Sequence, residues 1–106
     1  MNKTKALENS GELIRRKPMP KELNPDEIWA LLEGLGFELK GKNSDHTTYR
    51  WYHKYLLADS DYFRYGIISI SLGHAKGKRT VIREGSVSKL IYALRLYIKE
   101  FENERQ

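Results

Sequence analysis

The chain has no cysteine among its 106 residues. Disulfide staples, thiolate-held zinc and thiol nucleophiles are therefore excluded. No apolar run approaches the length of a membrane span, and the N-terminus lacks the apolar stretch of a secretory signal, so a cytoplasmic protein away from the membrane is expected. Internal repeats and low-complexity tracts are absent. Negative charge is in short supply: 14 acidic against 19 basic side chains leave a formal charge of +5. That excess favours a polyanionic partner such as nucleic acid or an anionic membrane surface. The three histidines, His46, His53 and His74, are far apart and lack carboxylates at ligand spacing. No metal site and no cofactor is expected from them.

The chain length suits a single domain with one modest core. Residues 1–23 differ from the rest. Lys3, Lys5, Arg15, Arg16, Lys17 and Lys21 dominate, and Pro18 and Pro20 break any helix. This stretch reads as a flexible basic arm with a helical turn around Ala6–Arg16. The folded domain is expected over residues 24–102, followed by a frayed C-terminus at 103–106.

Asn24 caps a predicted helix, Pro25 suits its first position, and Glu27 three residues on offers a capping box. Ile28, Leu31, Leu32 and Leu35 repeat at helical spacing, and Gly34 and Gly36 stop the run. Phe37 to Lys40 alternates like a short strand. Gly41 to Asp45 is turn chemistry. His46 to Tyr52 is rich in strand formers. Period two places Thr47, Tyr49 and Trp51 on a core face, and His46, Thr48 and Arg50 opposite. Ile68, Ile70 and Leu72 form the core side of a third strand, and Thr80 to Arg83 reads as a short edge strand. Ser86 is the expected cap of a last helix, whose apolar stripe runs from Val87 to Phe101. The order α-β-β-β-α predicts an α+β fold with two helices on one face of a three-stranded antiparallel sheet.

Histidine suits both proton transfers of RNA cleavage, because its ordinary pKa lies near neutrality. RNA carries its own nucleophile, the 2′-hydroxyl. Arg and Lys donate toward the charge that develops on phosphorus oxygens. His46 beside Arg50 supplies these types, with Lys40, Lys42, Lys76, Lys78, Arg79 and Lys89 as further phosphate-binding candidates. Tyr52, Tyr62 and Tyr65 are candidates for base stacking.

Four short elements in order resemble the HicA (YcfA-like) family of small mRNA interferases. They are Leu32-Glu33-Gly34-Leu35-Gly36-Phe37, Asn43-Ser44-Asp45-His46, Ser71-Leu72-Gly73-His74 and Glu84-Gly85-Ser86-Val87-Ser88-Lys89-Leu90-Ile91. Asn43 stands where the family carries glycine, and Leu72 where proline is usual. The resemblance implies a fold like double-stranded-RNA-binding domains and metal-independent endoribonuclease activity on single-stranded or translated mRNA. It implies a toxin of a toxin–antitoxin pair, neutralised by a HicB-like antitoxin protein. It carries the catalytic role to His46, with His74 and Arg50 as accessory candidates. Two other classes fit the same residues: a non-catalytic RNA-binding module, and a protein-interaction subunit using the aromatic stretch from Tyr49 to Tyr65.

Overall fold

Apolar side chains recurring at helical spacing build a short helix over Pro25–Gly34 and a long one over Glu84–Glu104. The computed structural model describes residues 1–105, apart from the side chain of Lys78. The elements are α1 (Lys3–Arg15), β1 (Glu22–Leu23), α2 (Pro25–Gly34), β2 (Glu38–Lys42), β3 (Thr48–Tyr52), β4 (Ile67–His74), β5 (Thr80–Arg83) and α3 (Glu84–Glu104), with short 3-10 turns between β3 and β5. The strands form one antiparallel sheet in the order β1-β5-β4-β3-β2.

This corrects the expected three-stranded, two-helix arrangement related to double-stranded-RNA-binding domains. Among the described residues the sheet has five strands, and a third α-helix precedes them. Thr80–Arg83 is an interior strand, because Glu22 and Leu23 pair with Arg83 and Ile82 on its far side. The segment read as an arm is largely α1. Asn2 caps it, its Oδ1 accepting from the Lys5 N–H at 2.8 Å. Ala6, Ser10 and Leu13 form a narrow buried stripe, and the Ser10 hydroxyl donates to the Ala6 carbonyl. Gly34 makes the docking possible. A Cβ there would sit 2.9 Å from Ala6 Cβ and 3.0 Å from the Met1 carbonyl oxygen.

Asn24 caps α2 as its chemistry demands, accepting from the Asp26 and Glu27 N–H groups. Gly36, at φ +94°, turns the chain out of the helix. Trp29 leaves α2 to pack on Tyr49 and Trp51, with ring centroids 4.9 and 5.5 Å away. Ile68, Ile70 and Ile82 are fully buried on that face, beneath Val87, Leu90 and Leu94 of α3. Tyr97 is fully buried too, and its hydroxyl donates to the Leu35 carbonyl at 2.7 Å, tying α3 to the end of α2. The helix α3 starts at Glu84, ahead of the expected Ser86 cap. Ser86 Oγ instead accepts from the Ser71 N–H at 2.9 Å, a strand donor just beyond the last β4–β5 pair, Leu72↔Ile82. Gln106 of the expected frayed terminus lies outside the described residues, while Asn103 and Glu104 still belong to α3.

The opposite face of the sheet carries Thr48, Arg50 and Tyr52 of β3 and Ile67, Ser69, Ser71 and Gly73 of β4, as the pairing Thr48↔Ser71, Arg50↔Ser69 and Tyr52↔Ile67 requires. Arg50 and Ser71 are exposed there.

Candidate functional site

The turn between β2 and β3 is built by one side chain. Asn43 Oδ1 accepts from the Thr47 and Thr48 N–H groups at 2.8 and 3.0 Å, and its Nδ2 donates to Thr47 Oγ1 at 2.9 Å. Its main chain joins in: Asn43 N–H donates to the Thr48 carbonyl, and the His46 N–H donates to the Asn43 carbonyl, both at 3.0 Å. A short amide that bonds the backbone ahead of it is strong turn chemistry. Asn43 therefore organises this loop in a way that a glycine there would not.

His46 is held within this turn and does not open the strand, contrary to the expectation of a strand over His46 to Tyr52. Its φ is +55°, in the left-handed region, and its side chain is exposed. Non-glycine residues occupy that region sparingly, although His is enriched there over most types. The strand begins two residues later, at Thr48. Arg50 and Thr48 do share the open sheet face.

His74 is the last residue of β4 and is exposed. The Leu72 N–H donates to the Thr47 carbonyl at 2.7 Å, so β4 runs on past the turn that holds His46. Both histidines thus stand at the same end of the sheet, His46 in the turn before β3 and His74 at the last position of β4, where alternation sets it on the side of Leu72 and not of Arg50. The loop after His74 carries Lys76, exposed, and Lys78, whose side chain lies outside the described residues.

The other cations divide. Arg79 Nη2 pairs with Glu22 Oε1 at 2.9 Å, across to β1. Lys40 Nζ pairs with Glu38 Oε2 at 2.8 Å and lies over the Tyr52 ring. That ion pair lowers the Glu38 pKa and raises that of Lys40, through the hydrogen bond first and the charge attraction second. Lys89 Nζ donates to the Ser69 carbonyl at 3.1 Å, at the edge of β4 that β5 leaves open. Lys42 lies 5.9 Å from the Tyr49 ring centroid, at the sheet's outer edge. Arg50 has no carboxylate at ion-pair distance among the described residues. Arg83, a further cation on the open face, has none either. The signal for Arg83 was the alternation of β5: Ile82 faces the core, so Arg83 faces out onto the open side.

His53 is a different kind of residue. It stands at the other end of β3, packed among Phe37, Tyr55 and Tyr97 with centroids 4.5 to 5.0 Å away. Its Nδ1 accepts from the Tyr55 N–H at 3.0 Å, capping a 3-10 turn. Burial, reinforced by the charges of Lys3 and Lys54, pushes its pKa down to about 4. It is a neutral structural imidazole, removed from His46 by the length of the strand. The Tyr55 hydroxyl donates to Glu104, which raises the Tyr55 pKa to about 12. The Tyr92 hydroxyl donates to Asp59.

Leu57, Tyr62 and Tyr65 are the exposed apolar residues of the long β3–β4 connection, and Tyr65 is 75% exposed at φ +58°. A cleft of about 630 Å³ between α1 and α2 is lined by Asn9, Glu12, Leu13, Arg16 and Asp26, away from His46 and His74. Among the described residues no group of three or more His, Asp or Glu side chains is placed to hold a metal ion. No described helix is long and apolar enough to cross a membrane. No family model, curated protein or solved structure matches the chain.

Proposed function

We propose that this chain is an endoribonuclease that cuts RNA by acid–base catalysis at the sheet end bearing His46 and His74. The observation that carries the reading is that two exposed histidines stand at one end of the sheet, His46 in the turn before β3 and His74 at the end of β4, beside a basic loop. One imidazole takes the proton of the 2′-hydroxyl as the 2′-oxygen bonds to phosphorus. The other delivers a proton to the 5′-oxygen as its bond to phosphorus breaks. The products are a 2′,3′-cyclic phosphate and a 5′-hydroxyl. His46 is the principal group, and Arg50 and Lys76 supply positive charge for the phosphate. The role of an mRNA-cutting toxin held in check by a HicB-like antitoxin rests on the motif resemblance.

The test is chemical. Cleaved RNA should carry 5′-hydroxyl and 2′,3′-cyclic phosphate ends, and the same sequence with 2′-deoxyribose at the cut site should survive. Products with 5′-phosphate ends would remove the 2′-hydroxyl, and with it the proposed pair of proton transfers.

A second reading is favoured by one observation. Among the described residues neither the His46 nor the His74 ring makes a hydrogen bond to the protein, so no second group orients either base. A non-catalytic RNA-binding module needs no such orientation. It predicts salt-sensitive binding without scission.

A further inference from the structure

The open face of the sheet is floored by backbone at two points, and an arginine lies over each. A Cβ on Gly41 would sit 3.0 Å from Arg50 Nη2, and a Cβ on Gly73 would sit 1.7 Å from Arg83 Nε. Glycine at these positions lets each guanidinium lie flat on the sheet. Between them are Ser69 and Ser71 of β4, flanked by the Lys89 ammonium on the Ser69 carbonyl. The carboxylates at the margins are already neutralised: Glu38 by Lys40, and Glu22 by Arg79. The centre of the face is therefore uncompensated positive charge with hydroxyls between.

The face is also graded along the strands. Tyr52 lies at one end, packed against Gly66, whose chain neighbour Tyr65 projects into solvent. Arg50 and Arg83 lie in the middle. His46, in the turn before β3, stands at the other end. The path along β4 from Ile67 to His74 is about 23 Å at the usual strand rise, and the strands of Arg50 and Arg83 are about 10 Å apart.

We propose that this face is the binding track for a single strand of RNA, with Tyr65 stacking a base, Arg50 and Arg83 holding successive phosphates, and the strand leading to His46. The proposal rests on the RNA-substrate reading above and adds the course of the strand over the protein and the residues that hold it. Charge complementarity selects a polyanion over an apolar surface, and the exposed Tyr65 ring at the end of the face suits the bases of a nucleic acid over an acidic protein surface. The flat floor selects a single strand. An A-form duplex hides its base edges in a deep groove that a sheet face cannot enter, whereas an open strand offers bases to stack and phosphates to pair.

The experiment uses the full chain and a 2′-O-methyl oligonucleotide of mixed sequence, which cannot be cut through a 2′-hydroxyl. Binding is followed by fluorescence anisotropy across a salt series, with the strand alone and in a duplex. The single strand should bind more tightly than the duplex. Arg50→Ala and Arg83→Ala should each weaken it roughly tenfold and lower the salt slope by about 0.7. Tyr65→Ala should weaken it with the slope unchanged. Arg50→Gln and Arg83→Gln keep most of the stem over its glycine, so matching losses report charge and not unfolding. Lys99→Ala, on the outer side of α3, should leave binding unchanged. Equal losses at Lys99, a preference for duplex, absence of binding, or unchanged affinity in both arginine variants would each overturn the track. Because no cutting is involved, a chain that binds in this pattern but never cleaves RNA loses the nuclease reading alone. A chain that cleaves RNA without the pattern loses the track alone.

Discussion

The side chain of Arg83 lies over Gly73, so close that any side chain at position 73 would overlap the guanidinium stem. Gly73 is thus a seat for a residue ten positions further along the chain. Gly73→Ala should displace Arg83 at a stability cost of about 1 kcal/mol or less, since Arg83 is exposed and can swing away. RNA affinity should fall nearly as far as in Arg83→Ala. In the double variant the second substitution should add little to either loss. Chemical denaturation and anisotropy on all three proteins check this, and fully additive affinity losses would separate the two residues.

Gly34 performs a similar service for α1, but its neighbours cannot yield so easily. Gly34→Ala should destabilise the protein by about 1–3 kcal/mol, because the new methyl meets the Met1 carbonyl and Ala6 at contact distances. The intrinsic gain of alanine over glycine in a helix, about 1 kcal/mol, offsets part of this. Limited proteolysis should then cut first within residues 1–16. A variant as stable and as resistant as the parent would show that α1 docks by other contacts.

Asn43→Ala should loosen the turn that presents His46. Amide hydrogen exchange should accelerate at Thr47 and Thr48, whose N–H groups lose their acceptor. Each lost bond costs about 0.5–1.5 kcal/mol. RNA cleavage should fall with the strand elements intact. Unaltered exchange at both amides would mean that the hairpin itself sets the turn.

Stability should drop as pH falls through the window from about 6.5 to about 4. The His53 imidazole has its ordinary pKa of 6.5 when unfolded and about 4 when folded. The unfolded chain therefore takes up the proton first, and protonation draws the equilibrium toward it. The contribution is complete above pH 6.5 and gone below pH 4. Glu38 and Glu104, both with lowered pKa, push in the same direction at the acid end. Thermal melts of the parent and His53→Asn read this directly. The variant keeps a side chain able to cap Tyr55 N–H but has nothing to titrate, so its melting temperature should vary less over that window. Parallel profiles would remove His53 as the cause.

Much of the core was legible because period 3.6 and period 2 both write themselves in apolar residues. Ile28, Leu31 and Leu32 in α2, Ile68 and Ile70 in β4, and Leu90, Leu94 and Tyr97 in α3 are buried where the patterns placed them. The helix α1 was hidden because its stripe is Ala6, Ser10 and Leu13, too small and too polar to stand out among lysines. The strand β1 is two residues long, and only its partner β5 defines it. The expected three-stranded sheet failed on these long-range pairings, which no local pattern records. His46 was read onto a strand because its neighbours favour strands. Asn43 decides otherwise by claiming the Thr47 and Thr48 amides with its side chain. Arg79 and Lys40 looked free for phosphate. Their partners Glu22 and Glu38 become visible only once the sheet brings them together.

The central claim is that His46 moves a proton in RNA cleavage, and the most direct measurement is the cleavage rate of a long unstructured RNA in EDTA by the parent and by His46→Ala. The account predicts scission by the parent and a loss of about 10²-fold or more in the variant. The 2′-O-methyl strand should bind both proteins equally well. Cleavage at the parental rate by a folded His46→Ala protein would contradict it.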